Sequence, residues 1–96
     1  MKAYIIGDIT ITDPVRYDEY KKLTQATLEP YGGRFVVRGG ERTVLEGGWE
    51  SGRIVVLEFP SKEKAKAWYD GEVYAPAKAI RQSASKGKFV LVEGVD

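Results

Sequence analysis

Three groups of side chains in this 96-residue sequence could do chemistry. The first is aromatic. Trp68, Tyr69 and Tyr74 lie close together, and Tyr17 and Tyr20 stand earlier. Between helices and a sheet they could line a pocket, with apolar bodies packed and phenol tips turned to a ligand. The plainer reading is that they are core aromatics whose polar tips find protein partners, and both readings can hold together. The second group is Arg38, Arg53 and Arg81, which could converge on an anion because a planar guanidinium matches carboxylate or phosphate oxygens. Arg81 shares a helical face with Ala77, Ile80 and Ala84, so its stem is expected to be partly buried. Arg53 reads more readily as a strand-edge residue facing water or a glutamate. The third group is Asp8 and Glu58, carboxylates set in apolar strand sequence. Such a group has a raised pKa unless it is paired, and could then transfer a proton. The competing reading pairs each with Arg38 or a nearby lysine, across the sheet or a dimer interface. The candidate ligand-binding residues are therefore Arg38, Tyr69, Tyr74, Arg81, Trp68 and Tyr20. Asp8 and Glu58 are the candidates for proton transfer, and no catalytic residue is assigned.

What is missing narrows the chemistry. Without cysteine there is no disulfide, thiolate nucleophile or sulfur-ligated metal. Without histidine the usual general base, metal ligand and haem ligand are gone, and a serine nucleophile lacks its partner. No metal constellation is visible and no cofactor is expected. The pairs Gly32-Gly33, Gly39-Gly40 and Gly47-Gly48 follow no phosphate-cradling pattern and read as turns. A net charge of +1 gives no field that would favour nucleic acid or an anionic membrane. No apolar run approaches the ~18 residues of a membrane span. The opening MKAYIIGDITI superficially resembles a signal peptide, but Asp8 interrupts it and it reads as a strand. A cytoplasmic protein of one domain, residues 1–96, is expected.

The elements that must position these residues are legible. Arg53 to Phe59 is strand material closed by Pro60; Ser61 can cap the next helix, with Glu63 in its first turn and Ala65, Trp68 and Tyr69 on one face. Tyr4 to Ile11 reads as the first strand. Asp13-Pro14 opens a helix whose Tyr17, Tyr20, Thr24, Thr27 and Leu28 share a face, with Leu23 close by. Arg34 to Arg38 is a second strand. The twelve residues between Gly40 and Arg53 are long for a hairpin, with a short strand expected at Thr43 to Leu45. Asp70-Gly71 breaks the second helix, and a further segment spans about Tyr74 to Ala84. Lys86-Gly87 is expected to turn the chain into a last strand, Lys88 to Val92. The order β-α-β-β-α-β gives an α+β class: a ferredoxin-like antiparallel sheet with its helices on one face. The strands IVVLEF and FVLV are apolar on both faces, where a sheet with one wet face should alternate. A second copy of the same sheet is the economical cover.

The segments YGGRFVVRGG (Tyr31 to Gly40), Leu45-Glu46-Gly47, RIVVLEFPS with Ala65, Trp68-Tyr69 and Tyr74, Arg81 and the closing VEG together resemble domain-of-unknown-function family 1330. That family belongs to the dimeric α/β-barrel, ferredoxin-like superfamily, and the resemblance spans nearly the whole chain. Asp70-Gly71 stands where such relatives usually have a serine. The resemblance implies a homodimer whose sheets meet face to face. The superfamily holds cofactor-free oxygenases, lactone isomerases, haem enzymes and proteins of no known activity, so the resemblance leaves function open. The expected function is a small homodimer binding a polar or anionic metabolite in a cleft between helices and sheet. The alternatives are a cofactor-independent monooxygenase or isomerase on an aromatic or lactone substrate, and a structural or regulatory dimer without ligand.

Overall fold

The structure, a computed structural model, describes residues 1–95. The elements run β1 (Ala3–Ile11), α1 (Pro14–Leu28), a 3-10 turn (Glu29–Tyr31), β2 (Arg34–Arg38), β3 (Arg53–Phe59), α2 (Lys62–Asp70), α3 (Ala75–Ala84) and β4 (Ser85–Glu93). The strands form one sheet in the order β2-β3-β1-β4, every neighbouring pair antiparallel. Local chemistry sets the helix ends. The Asp13 carboxylate accepts from the Arg16 amide at 3.1 Å, Pro14 occupies the first turn, and the Ser61 hydroxyl accepts from the Lys64 amide at 3.2 Å. Pro30 ends the α1 run in the 3-10 turn, and Gly32 takes φ 69° to release the chain into β2.

The two faces of the sheet differ. Ile5 and Ile9 of β1 and Val55, Leu57 and Phe59 of β3 point to the helices and are buried with Tyr17, Tyr20, Leu28, Trp68, Tyr74 and Ala77. The α1 face read from spacing is the buried one, Tyr17, Tyr20, Thr24, Thr27 and Leu28. Leu23 is exposed. On the other face no helix lies over Ile6, Ile54, Val56, Val90 and Val92; Val90 is 55% and Val92 46% exposed.

The end of the chain departs from expectation. Lys86-Gly87 is not a turn. β4 starts at Ser85, directly after α3, and Gly87 pairs with Ile9. The Ala84 carbonyl accepts from the amides of Thr12 and Asp13, which fixes the corner without a loop. Thr43–Leu45 forms no strand. Its segment belongs to an irregular β2–β3 connection, clamped at its base by Arg42 donating to the Ser51 hydroxyl at 2.6 Å and carbonyl at 2.8 Å.

Candidate functional site

A cavity lies between the helices and the inner face of the sheet. Its floor is Ile5, Gly7 and Ile9 of β1 with Val55 and Leu57 of β3. Gly7 is required there: a Cβ would collide with the Phe89 ring, which lies across it from β4. The roof is Tyr17, Tyr20 and Thr24, spaced three and four along α1, with Trp68 and Tyr69 of α2 and Tyr74 before α3. Lys21, Phe35, Arg38 and Arg53 complete the wall. The free space is about 20 Å³, room for about one water, so a metabolite enters only if side chains swing aside.

A β-bulge aims one of these residues. Phe35 pairs with Leu57 and Val37 with Val56, so Val36 is the extra residue. The shift returns Arg38 to the helix side, opposite Val55. Its guanidinium lies 4.2 Å from the Phe35 ring centroid and donates to the Lys21 carbonyl of α1 at 2.8 Å, bridging the edge strand to the helix.

Arg81 is 3% exposed and forms no ion pair among the described residues. Its charge persists at any ordinary pH. It lies 4.1 Å from the Phe89 centroid, donates Nε–H to the Tyr74 hydroxyl at 3.2 Å, and points Nη2 at the Tyr69 hydroxyl at 3.5 Å. Tyr74 in turn shares a 2.8 Å hydrogen bond with the Tyr20 hydroxyl. Burial raises the pKa of Tyr17, Tyr20 and Tyr74 above that of an ordinary phenol, so all three are neutral at physiological pH.

Of the candidate residues, the fold brings Tyr20, Arg38, Trp68, Tyr69 and Tyr74 to the cavity wall. Arg81 sits behind the wall and reaches it through the two phenols. Asp8 and Glu58 are elsewhere, on the uncovered face of the sheet. Asp8 accepts from the Trp49 indole N–H at 3.0 Å and the Gly52 amide at 2.7 Å. Glu58 meets Arg34 at 3.1 Å and Lys2 at 3.5 Å, and the Arg34 hydrogen bond lowers its pKa. Neither carboxylate can exchange a proton with a ligand in the cavity.

Arg53, which the sequence favours as a strand-edge residue over an anion-binding one, lines the cavity. Strand alternation carried the signal, since Arg53 shares parity with the buried Val55, Leu57 and Phe59. Its guanidinium lies 5.8 Å from the Tyr17 centroid, and its Nε–H is buried with no hydrogen-bond partner among the described residues. The described residues hold no group of three or more histidines, cysteines or carboxylates that could bind a metal ion. Among the described residues no helix is long and apolar enough to cross a membrane.

An antiparallel sheet in this order, with its helices on one face, is a ferredoxin-like fold. The chain belongs to the domain of unknown function family DUF1330, whose family model matches residues 2–95. Among solved structures it is similar to a protein of unknown function from Rhodopseudomonas palustris, at 17% identity and TM-score 0.79, covering 99% of this chain and 83% of that one. A dimeric ferredoxin-like protein of unknown function from Jannaschia sp. CCS1 aligns at 14% identity and TM-score 0.67, over 98% and 100% of the two chains. SnoaB, a cofactor-independent oxygenase from Streptomyces nogalater, aligns at 13% identity and TM-score 0.66, over 99% and 94%. At these identities the likeness is one of fold. No curated protein matches the chain.

Proposed function

We propose that the protein is a cytoplasmic homodimer that binds a small polar or anionic metabolite in the cleft between helices and sheet. One observation carries the binding reading. The cavity wall holds Arg38, Arg53 and the phenol tips, with Arg81 behind, and no carboxylate among its described residues; the Lys21 ammonium at its edge is paired with Asp18 at 3.4 Å. Guanidinium groups beside a recess without a carboxylate favour water or an anionic ligand there. A dimer serving structure alone would have no use for such a recess.

The name of the Streptomyces neighbour raises an oxygenase reading, beside the isomerase alternative left open by the sequence. Such chemistry needs a base within reach of the substrate. The chain has no histidine, Asp8 and Glu58 face away, and the raised phenol pKa values make Tyr17, Tyr20 and Tyr74 poor acceptors of a proton at neutral pH. Binding is the better-supported activity.

The test is a thermal-shift screen of small carboxylates and phosphates on wild type, Arg81→Ala and Arg38→Gln. A compound that stabilises wild type and loses that effect in Arg38→Gln supports the cleft. Equal stabilisation of all three proteins places the ligand elsewhere.

A further inference from the structure

We propose that Arg53 is the anchor of the cleft and that the ligand is a monocarboxylate with a flat or compact apolar body. This rests on the binding reading above and specifies its chemistry. Arginine presents Nε–H and Nη2–H side by side, a fork matched to the two oxygens of a carboxylate. On Arg81, Nε–H is spent on the Tyr74 hydroxyl, with Nη2 3.5 Å from the Tyr69 hydroxyl. On Arg53, Nε–H has no partner among the described residues; Nη2 reaches the Arg38 carbonyl at 3.4 Å, and the guanidinium also meets the Tyr17 side chain. The chain makes room for this guanidinium. Gly39 takes φ +69°, and a Cβ there would collide with Arg53 Nη1.

Tyr20 and Tyr74 share one hydrogen bond, Tyr74 oxygen also accepts from Arg81, and the Thr24 side chain lies within hydrogen-bonding reach of the Tyr20 hydroxyl. The phenols are met within the protein, and the unspent donor of the cavity is Arg53 Nε–H. The rest of its wall, Ile5, Ile9, Phe35, Val55, Leu57, Trp68 and Phe89, is hydrocarbon, which fits an apolar body. A phosphate would carry more charge and more oxygens than one fork can satisfy.

The test measures binding of phenylacetate and hexanoate, with phenylacetamide and inorganic phosphate as comparison probes. Titration calorimetry and thermal shift are run on wild type, Arg53→Gln, Arg53→Lys and Arg34→Gln. Arg34 pairs with Glu58 on the opposite face and leaves the cleft intact. A carboxylate should bind wild type and Arg34→Gln alike. It should bind Arg53→Gln about tenfold more weakly or worse, as expected on losing a charge-assisted hydrogen bond. If Arg53→Gln does not fold, Arg53→Lys decides, because it keeps the charge and loses the fork and should also weaken binding. Equal carboxylate binding by wild type and the folded Arg53 variants would remove Arg53 as anchor while leaving the cleft reading intact. Phenylacetamide binding as well as phenylacetate, or phosphate binding better than both acids, would overturn the ligand class alone. If none of the four probes shifts any form of the protein, this inference and the cleft reading both fall.

Discussion

Trp68 ties several elements together. Its indole lies 3.9 Å from the Tyr74 ring, 27° from parallel, and 5.5 Å from Phe59, while Nε1–H donates to the Thr27 hydroxyl at 3.0 Å. Trp68→Ala should therefore cost about 3–5 kcal/mol, the usual effect of emptying a large buried aromatic site. Urea unfolding would measure it; a loss below about 1 kcal/mol would mean the site collapses without penalty. The buried phenols set an alkaline limit. An unfolded tyrosine ionises near pH ~10. Tyr17, Tyr20 and Tyr74 hold their protons to higher pH in the fold. Above about pH 10 the folded chain thus binds more protons than the unfolded one, and their contribution, complete below that pH, is lost as pH rises towards the folded values. Denaturation midpoints followed upward from neutral pH should fall there, and fall less steeply in Tyr20→Phe. A parallel fall in both proteins would count against the phenol as the cause. At this scale the sequence disclosed identities but not pairings. Arg81 stands out on an apolar helical face, but nothing in its spacing says that its fork meets two phenols and no carboxylate. Arg53 is named with Arg38 and Arg81 but set aside, because a charge at the start of an apolar strand reads as an edge.

Elements were legible wherever one local signal acted alone. Asp13-Pro14, Ser61 and the run of tyrosines and threonines in α1 each specify their own cap or face. The misread boundary was the start of β4, because Lys86-Gly87 carries turn chemistry while pairing with Thr10 and Ile9 overrides it. Asp8 was misread for a related reason. Its partners come from the β2–β3 connection, whose path no periodicity encodes. Two neighbouring glycines separate backbone need from mere looseness. Gly39→Ala should cost at least about 1 kcal/mol, because alanine resists that backbone and its Cβ meets Arg53. Gly40→Ala should be nearly silent, since its Cβ would enter open space. Equal effects in chemical denaturation would contradict the proposed tight seat of the Arg53 guanidinium.

For the whole molecule, the dominant fact is an apolar sheet face that no helix covers among the described residues. Exposed Val90 and Val92 and half-buried Ile6, Ile54 and Val56 form one surface across three strands, reached by Trp49 at the Asp8 end. An apolar surface of that kind marks an interface. Two copies meeting there would hide it and should bury more than ~1,000 Å². Sedimentation should give a dimer at micromolar concentration, and Val90→Lys should shift it towards monomer. A wild-type monomer would leave the face unexplained. The α+β class was legible because element order and handed crossovers restrict the topology. Arg38, Arg53 and Arg81 were legible as a possible anion group, but which of them reach the cleft was not, because they stand on separate segments.

The position of β1 has a consequence for how the protein is made. β1 emerges before β3 and β4 during synthesis but lies between them, so its partners begin only at Arg53 and Ser85. Neither edge of β1 can close until much later sequence has left the ribosome, and pairings so distant along the chain form slowly. Stalled chains released before β4 is made should keep β1 half-paired and be cut rapidly by protease. Protection already complete at that length would show that β4 joins a sheet that is already stable.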